Sequence, residues 1–224
     1  MDRVQRHFEE EAKEYDGIIK NLIPNYLGMV DILVSLLPFD KEQIFDMVGL
    51  GCGTGTVSKA VKDAFHAARV TCVDIAANML DIAGQKVGKD ATLIQADFNT
   101  FEFPQKYDAV VSSLALHHLE TDGDKFRFYE KIYGALNPDG IFVNADVVLG
   151  GGDALQSLYM KKWKAFMVKN FSEQEVMQKW MPSYYEEDHP ATLLTHFDML
   201  AKCGFTDIDA VYKYDNFAVY CGRK

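Results

Sequence analysis

The chain has 224 residues, 48% of them hydrophobic, enough for one α/β domain with additions and a sizeable core. Its formal charge of −10 argues against broad nonspecific contact with nucleic acid, so no nucleic-acid partner is expected. No apolar run is long enough to span a membrane, and the opening Met1-Asp-Arg-Val-Gln-Arg-His-Phe lacks a signal peptide's apolar centre, so no membrane partner is expected.

Residues 1–20 carry Val4, Phe8, Ala12, Tyr15, Ile18 and Ile19, a spacing that predicts one helix with a buried stripe. Pro24 is expected to open a second helix, with Tyr26, Met29, Val30 and Leu33 on its apolar face and Pro38 ending it. Ile44 to Val48 then read as a buried strand. Gly49, Gly51, Gly53 and Gly55 follow on alternate positions, and Val57, Ala60, Val61 and Phe65 recur at helical spacing. A strand, a glycine turn and a helix make a nucleotide-binding turn, because glycine admits close backbone approach and a helix N-terminus offers free N–H groups. The dinucleotide pattern G-x-G-x-x-G would need glycine at 54 or 56, where Thr54 and Thr56 stand.

The run Asp46-Met-Val-Gly49-Leu-Gly51-Cys-Gly53-Thr-Gly55 resembles the first motif of class I S-adenosylmethionine (SAM)-dependent methyltransferases. The resemblance implies a Rossmann-like, seven-stranded, mostly parallel sheet with an antiparallel C-terminal hairpin. It also implies SAM as cofactor and S-adenosylhomocysteine as product. Residues 1–224 are then a single domain, with 1–40 a helical N-terminal cover and 150–190 a helical lid insertion. Gly49, Gly51 and Gly53 would face the amino-acid end of the cofactor through their backbone. Tyr15 would reach the cofactor from the cover.

The second strand, Arg69-Val-Thr-Cys-Val-Asp74, ends in an acid about twenty residues past the glycines, where a short carboxylate can accept both ribose hydroxyls. Asp74, with Ile75 beside it, is therefore assigned to the ribose. Asp97 and Phe98, after the third strand Ala91 to Gln95, match the family's adenine position. Ser113 ends the fourth strand, Tyr107 to Ser113, where the resemblance places the methionine end.

His117-His118 follow. Neighbouring residues on a helical turn do not share a face, so the pair is weak evidence for metal and no metal is expected. Thr121 to Leu136 reads as a helix, Leu136-Asn-Pro-Asp-Gly140 as its stop and turn, and Ile141 to Val148 as the fifth strand, with Asp146 toward its ligand-binding end. Asp146 and His118 are the catalytic candidates.

Gly150-Gly-Gly152 reads as a hinge. The segment to Pro190 is a lid with two helices, the second opened by a capping box at Ser172-Glu-Gln-Glu175. Tyr26, Trp163, Tyr184, Tyr185 and His189 are the substrate-binding candidates. Pro190 is expected to start the next helix, and Phe205–Tyr214 with Phe217–Cys221 to form the closing hairpin about Asp215-Asn216. Cys52, Cys72, Cys203 and Cys221 show no C-x-x-C spacing, and free thiols in a reducing cytoplasm are expected.

The likeness narrows in Ile23-Pro-Asn-Tyr26, Tyr133-Gly-Ala-Leu-Asn-Pro-Asp-Gly140 and the lid layout. These are similar to the carboxy-SAM synthase branch of tRNA wobble-uridine modification, which holds the extra carboxylate with a lid arginine. The corresponding stretch, 174–187, has Lys179 and no arginine. Methyl transfer to a small-molecule acceptor is the expected function. The alternatives are a carboxy-SAM synthase-like enzyme and a SAM-binding protein without turnover. A homodimer is left open.

Overall fold

The computed structural model describes residues 2–224. Its strands are β1 (Asp46–Leu50), β2 (Arg69–Asp74), β3 (Thr92–Gln95), β4 (Tyr107–Ser113), β5 (Leu136–Val147), β6 (Thr206–Tyr214) and β7 (Phe217–Arg223). They form one seven-stranded sheet in the order β3-β2-β1-β4-β5-β7-β6. β7 is antiparallel to both β5 and β6, and the other pairs are parallel. The hairpin closes inside the sheet, as expected.

Alternate residues of each strand feed opposite faces. Met47, Val111 and Val143 join one buried cluster, while Val48, Val110 and Phe142 join the other. Two covered faces are what a largely parallel sheet requires. The helices around it are α1 (Asp2–Glu11), α2 (Tyr15–Leu22), α3 (Tyr26–Ser35), α4 (Thr56–Ala64), α5 (Ala77–Val87) and α6 (Asp122–Ala135), then α7 (Asp153–Met167), α8 (Glu173–Glu175), α9 (Met181–Glu187) and α10 (Leu193–Cys203). A π turn, Val176–Trp180, joins α8 to α9. α6 and α8 both open with reciprocal capping boxes, at Thr121/Asp124 and Ser172/Glu175.

Strand order locates the ligand crevice. β2 and β3 extend from one side of β1, and β4 and β5 from the other, so the chain reverses direction between β1 and β4. Ligands of open α/β sheets bind beyond the carboxyl ends of the strands at that point. Leu50 and Ser112 pair there, immediately before the glycine loop and before Ser113.

Several boundaries differ from the sequence reading. The single N-terminal helix is two, because the chain turns at residues 12–14 and Tyr15 opens α2. α3 starts at Tyr26 rather than Pro24, after Asn25 takes a left-handed φ of 57°. Ile44 lies before β1 and is 67% exposed. Leu136 already pairs with Tyr107, and residues 137–140 loop out before Ala109 meets Ile141, so the expected turn is a bulge within β5. α10 begins at Leu193, because the Thr192 hydroxyl accepts the Thr195 N–H at 3.1 Å. Among the described residues no single helix is long and apolar enough to cross a membrane.

Candidate functional site

The glycine loop is built by close approach. Gly51 has φ +57°, and a Cβ there would lie 2.2 Å from the Ala115 Cβ. Two bonds hold the loop against β2, and a third fixes the Asp74 carboxylate that makes one of them. Cys52 N–H donates to the Val73 carbonyl at 2.9 Å. The Asp74 carboxylate accepts the Gly53 N–H at 2.8 Å and the Ala76 N–H at 3.0 Å. Burial raises the Asp74 carboxyl above its usual range, against those N–H donors. Asp16 on α2 clasps the other side, accepting the Thr54 hydroxyl at 2.5 Å and the Lys86 ammonium at 2.6 Å.

Two hollows that share Tyr15, Gly51 and Gly53 as lining flank this loop. One, about 490 Å³, is lined by Gly51, Gly53, Asp74, Ile75 and Phe98, with Phe8 and Tyr15 from the cover. The other, about 380 Å³, is lined by Gly49, Gly51, Gly53, Ser113, Tyr15 and Tyr26. The expected cofactor set is thereby brought together, with one departure. Asp97 lines neither hollow: its Oδ1 accepts the backbone and side-chain N–H groups of Asn99 at 2.9 and 3.0 Å, while its neighbours Ala96 and Phe98 reach the wall. Tyr26 also moves, from the expected acceptor side to the glycine-loop hollow.

A further cavity of about 730 Å³ lies under the lid. Trp163, Trp180, Tyr184 and Phe217 supply its apolar wall, and His7, Glu11, His117, His118, Glu187 and Asp188 its polar one. Phe8, Tyr15, Leu114 and His118 line both this cavity and the 490 Å³ hollow. Tyr185 does not line it; it is 64% exposed on an outer cleft. His189 does not line it either, and its N–H donates to the His117 carbonyl at 2.8 Å.

Asp146 is 1% exposed and lines none of these cavities. It accepts from the Asn144 amide at 3.1 Å and the Val147 N–H at 2.9 Å, and its Oδ1 lies 2.5 Å from His117 Nδ1. The expected catalytic contact is thus replaced by a hold on His117. Burial opposes a charge on His117, but the carboxylates of Asp188 and Asp146 outweigh it and raise its pKa to about 10. Burial and the neighbouring His117 charge lower His118 to about 4.

Segments 1–37 and 153–189 are joined across the 730 Å³ cavity. Trp163 Nε1 donates to the Leu22 carbonyl at 2.7 Å, and Lys179 pairs with Glu11 at 2.6 Å. His7 lies 2.7 Å from Glu187 and 3.1 Å from Glu11, whose carboxylates raise its pKa to about 9. Glu9 caps α5 from α1, accepting the Ala77 and Asn78 N–H groups at 2.7 and 2.9 Å. The Gly150–Gly152 break is anchored at one end, where Gly150 N–H donates to Gln156 Oε1 at 2.7 Å. Hydrogen exchange should therefore show segments 1–37 and 153–189 gaining protection together when S-adenosylhomocysteine is added. Protection confined to the glycine loop would mean that the two segments are fixed cover.

Residues 47–140 match a family described as a methyltransferase domain. The chain is 30% identical to a malonyl-[acyl-carrier protein] O-methyltransferase of Acetivibrio thermocellus over 62% of this chain and 47% of that enzyme. It is 24% identical to a carboxy-S-adenosyl-L-methionine synthase of Wolinella succinogenes over 98% of this chain and 94% of that one. Residues 47–140 thus resemble a methyltransferase domain, and a weaker likeness runs through nearly the whole chain. The same fold appears in the structure of Haemonchus contortus phosphoethanolamine N-methyltransferase 2 with S-adenosyl-L-methionine, at TM-score 0.69 and 17% identity, covering 96% of this chain and 57% of that chain. The match to the first relative spans about half of that enzyme's length, 47%.

Sequence reasoning missed Glu9, Glu11, Glu187 and Asp188. Each is an acid in a charged run that reads as solvated surface; α5 gives Glu9 its partners, Lys179 reaches Glu11, His7 reaches Glu187, and the His117–His118 turn meets Asp188. The His7/Glu11 pair at helical i,i+4 spacing was the one local signal.

Proposed function

We propose that this protein is a SAM-dependent methyltransferase that moves the methyl group of SAM to a small-molecule acceptor held in the cavity under residues 153–189. The observation that carries the reading is the common wall of Phe8, Tyr15, Leu114 and His118. With the adenosine against Asp74 and the amino-acid end along the glycine loop, the sulfonium methyl faces that wall. The sulfonium is already activated, so the protein's work is to align the nucleophile and exclude water. An acceptor with an apolar body and a polar end fits the cavity's two-sided lining. The Trp180 indole N–H is buried and has no hydrogen-bond partner among the described residues, so an acceptor oxygen can satisfy it. His118 stands at the reacting end; Asp146 is a positioning residue that acts through His117.

An acceptor screen with labelled SAM tests the reading, and Trp163→Phe sharpens it. That variant deletes the indole bond to Leu22 and reshapes the acceptor wall, so the acceptor KM should rise by roughly tenfold with SAM affinity unchanged. A change in SAM affinity with an unaltered acceptor KM would contradict the assignment of the two cavities.

A carboxy-SAM synthase-like activity is the second reading. The nearly end-to-end match to the Wolinella succinogenes enzyme favours it. Against it, Lys179, the lid cation in the place of the expected arginine, is engaged by Glu11 at 2.6 Å and lies 4.1 Å from the Trp180 ring centroid. Mass spectrometry of the ligand retained on purification separates the readings by the mass of one carboxylate. Cofactor binding without turnover on any acceptor class would leave a SAM-binding protein.

A further inference from the structure

We propose that His117, His118 and Asp188 form a binding site for a divalent first-row transition cation in the wall of the acceptor cavity. One donor atom from each residue lies within 4.8 Å of the others. His117 Nε2 and His118 Nδ1 lie 3.4 and 3.5 Å from the same Asp188 oxygen. A direct charge-assisted hydrogen bond would be about 2.7–2.9 Å, so these spacings are long for bonding to one another. They are close to the ligand-to-ligand edge of a tetrahedral cation with bonds of about 2.0–2.1 Å.

Local structure overturns the sequence argument against the pair. Leu116–His118 form a tight 3₁₀ turn, and the two imidazole rings stand with centroids 4.2 Å apart. Adjacent residues thus converge on one carboxylate. The second layer is also built. His117 turns its other nitrogen, Nδ1, to Asp146 Oδ1 at 2.5 Å, and Asn144 and the Val147 N–H hold that carboxylate. Metal-ligating histidines characteristically donate their remaining N–H to such a carboxylate, which fixes ring and tautomer. His118 Nδ1 hydrogen-bonds the Glu187 carbonyl at 3.1 Å, a bond that the cation would replace. Binding displaces one proton, from His117 Nε2, and shifts the single ring proton of His118 from Nδ1 to Nε2.

Two imidazoles and one carboxylate suit zinc, iron, cobalt or manganese rather than calcium or magnesium. Three protein ligands with an open position are the pattern of a working rather than a structural centre. All three residues line the acceptor cavity, and His118 also borders the cofactor hollow. On the acceptor reading above, the open position would hold the acceptor's own oxygen or nitrogen against the methyl group. Cation binding itself does not rest on that reading.

The test uses the whole chain, chelated, desalted and titrated with Co²⁺, read by visible absorption and by metal analysis after desalting. One equivalent with a ligand-field band displaced by Zn²⁺ is the expected result. Asp146→Asn should weaken Co²⁺ by about 10–100-fold, and Asp188→Asn or His118→Ala by more than about 100-fold. Asp188→Asn is near-isosteric and carries the test if His118→Ala does not fold. Retention well below one equivalent, or a folded Asp188→Asn that binds Co²⁺ like the parent, would overturn the site. SAM affinity, measured on the same samples, reports on the methyltransferase reading separately.

Discussion

Gly51→Ala should remove measurable SAM binding and lower the melting temperature. Two costs add at this position. The left-handed backbone strains any side chain by about 1–3 kcal/mol, and φ there is +57°. The new methyl would also meet the Ala115 Cβ at 2.2 Å, an overlap that costs about another 1–3 kcal/mol in repacking. Ala115 sits directly after Leu114, which borders both cavities, so relief of the clash displaces the wall that they share. Gly151→Ala is the control: nothing lies within 4 Å of its added Cβ, and its effect should stay within about 0.5 kcal/mol. Calorimetric titration and thermal melts read both variants. A Gly51→Ala protein that melts and binds like the parent would refute the loop assignment.

Asp74→Ala is expected to weaken SAM by roughly 1.5–3 kcal/mol, about ten- to a hundredfold, the usual worth of hydrogen bonds to a charged group. The substitution has a second effect, because the same carboxylate accepts the Gly53 and Ala76 N–H groups. A comparison of S-adenosylhomocysteine with its 2′-deoxy analogue separates the two roles. If Asp74 holds the ribose, the parent prefers the hydroxylated ligand and Asp74→Ala loses that preference. If Asp74 only braces the loop, both ligands weaken equally and the ribose role falls.

The sheet and the glycine loop were legible because their signals are local. Buried strands of Val and Ile, glycines at fixed spacing and an acid at the end of β2 all lie within a few residues of what they shape. Boundaries failed where a single side chain decides them, as at Thr192, whose hydroxyl caps α10 although Pro190 is the stronger sequence signal. The site's polar wall was not legible for a different reason. Asp188 and His117 are 71 positions apart in this sequence, and Glu9 meets the start of α5 across a similar distance. No periodicity encodes such meetings. Asp146 shows the remaining difficulty: its place at the end of β5 is readable, but whether it faces a ligand or a histidine depends on what packs above it.

The placement of β7 has a bearing on how the molecule assembles. β5 does not pair with β6, the next strand in the chain, but with β7, so Val143 finds Cys221 and Asp146 finds Ala218. The whole lid, α10 and β6 intervene before that ladder can close. Asn144, which steadies Asp146, also donates its side-chain N–H to the Tyr220 hydroxyl at 2.8 Å, and Tyr220 in turn meets Tyr129 at 2.9 Å. Contacts of such long sequence separation form late, because the intervening loop must first be closed. The half of the sheet that carries the cofactor loop, β1 to β4, can condense from near neighbours. The polar layer beneath the 730 Å³ cavity waits for the chain's distant end, so in the order of folding the glycine loop takes shape before that cavity has its floor.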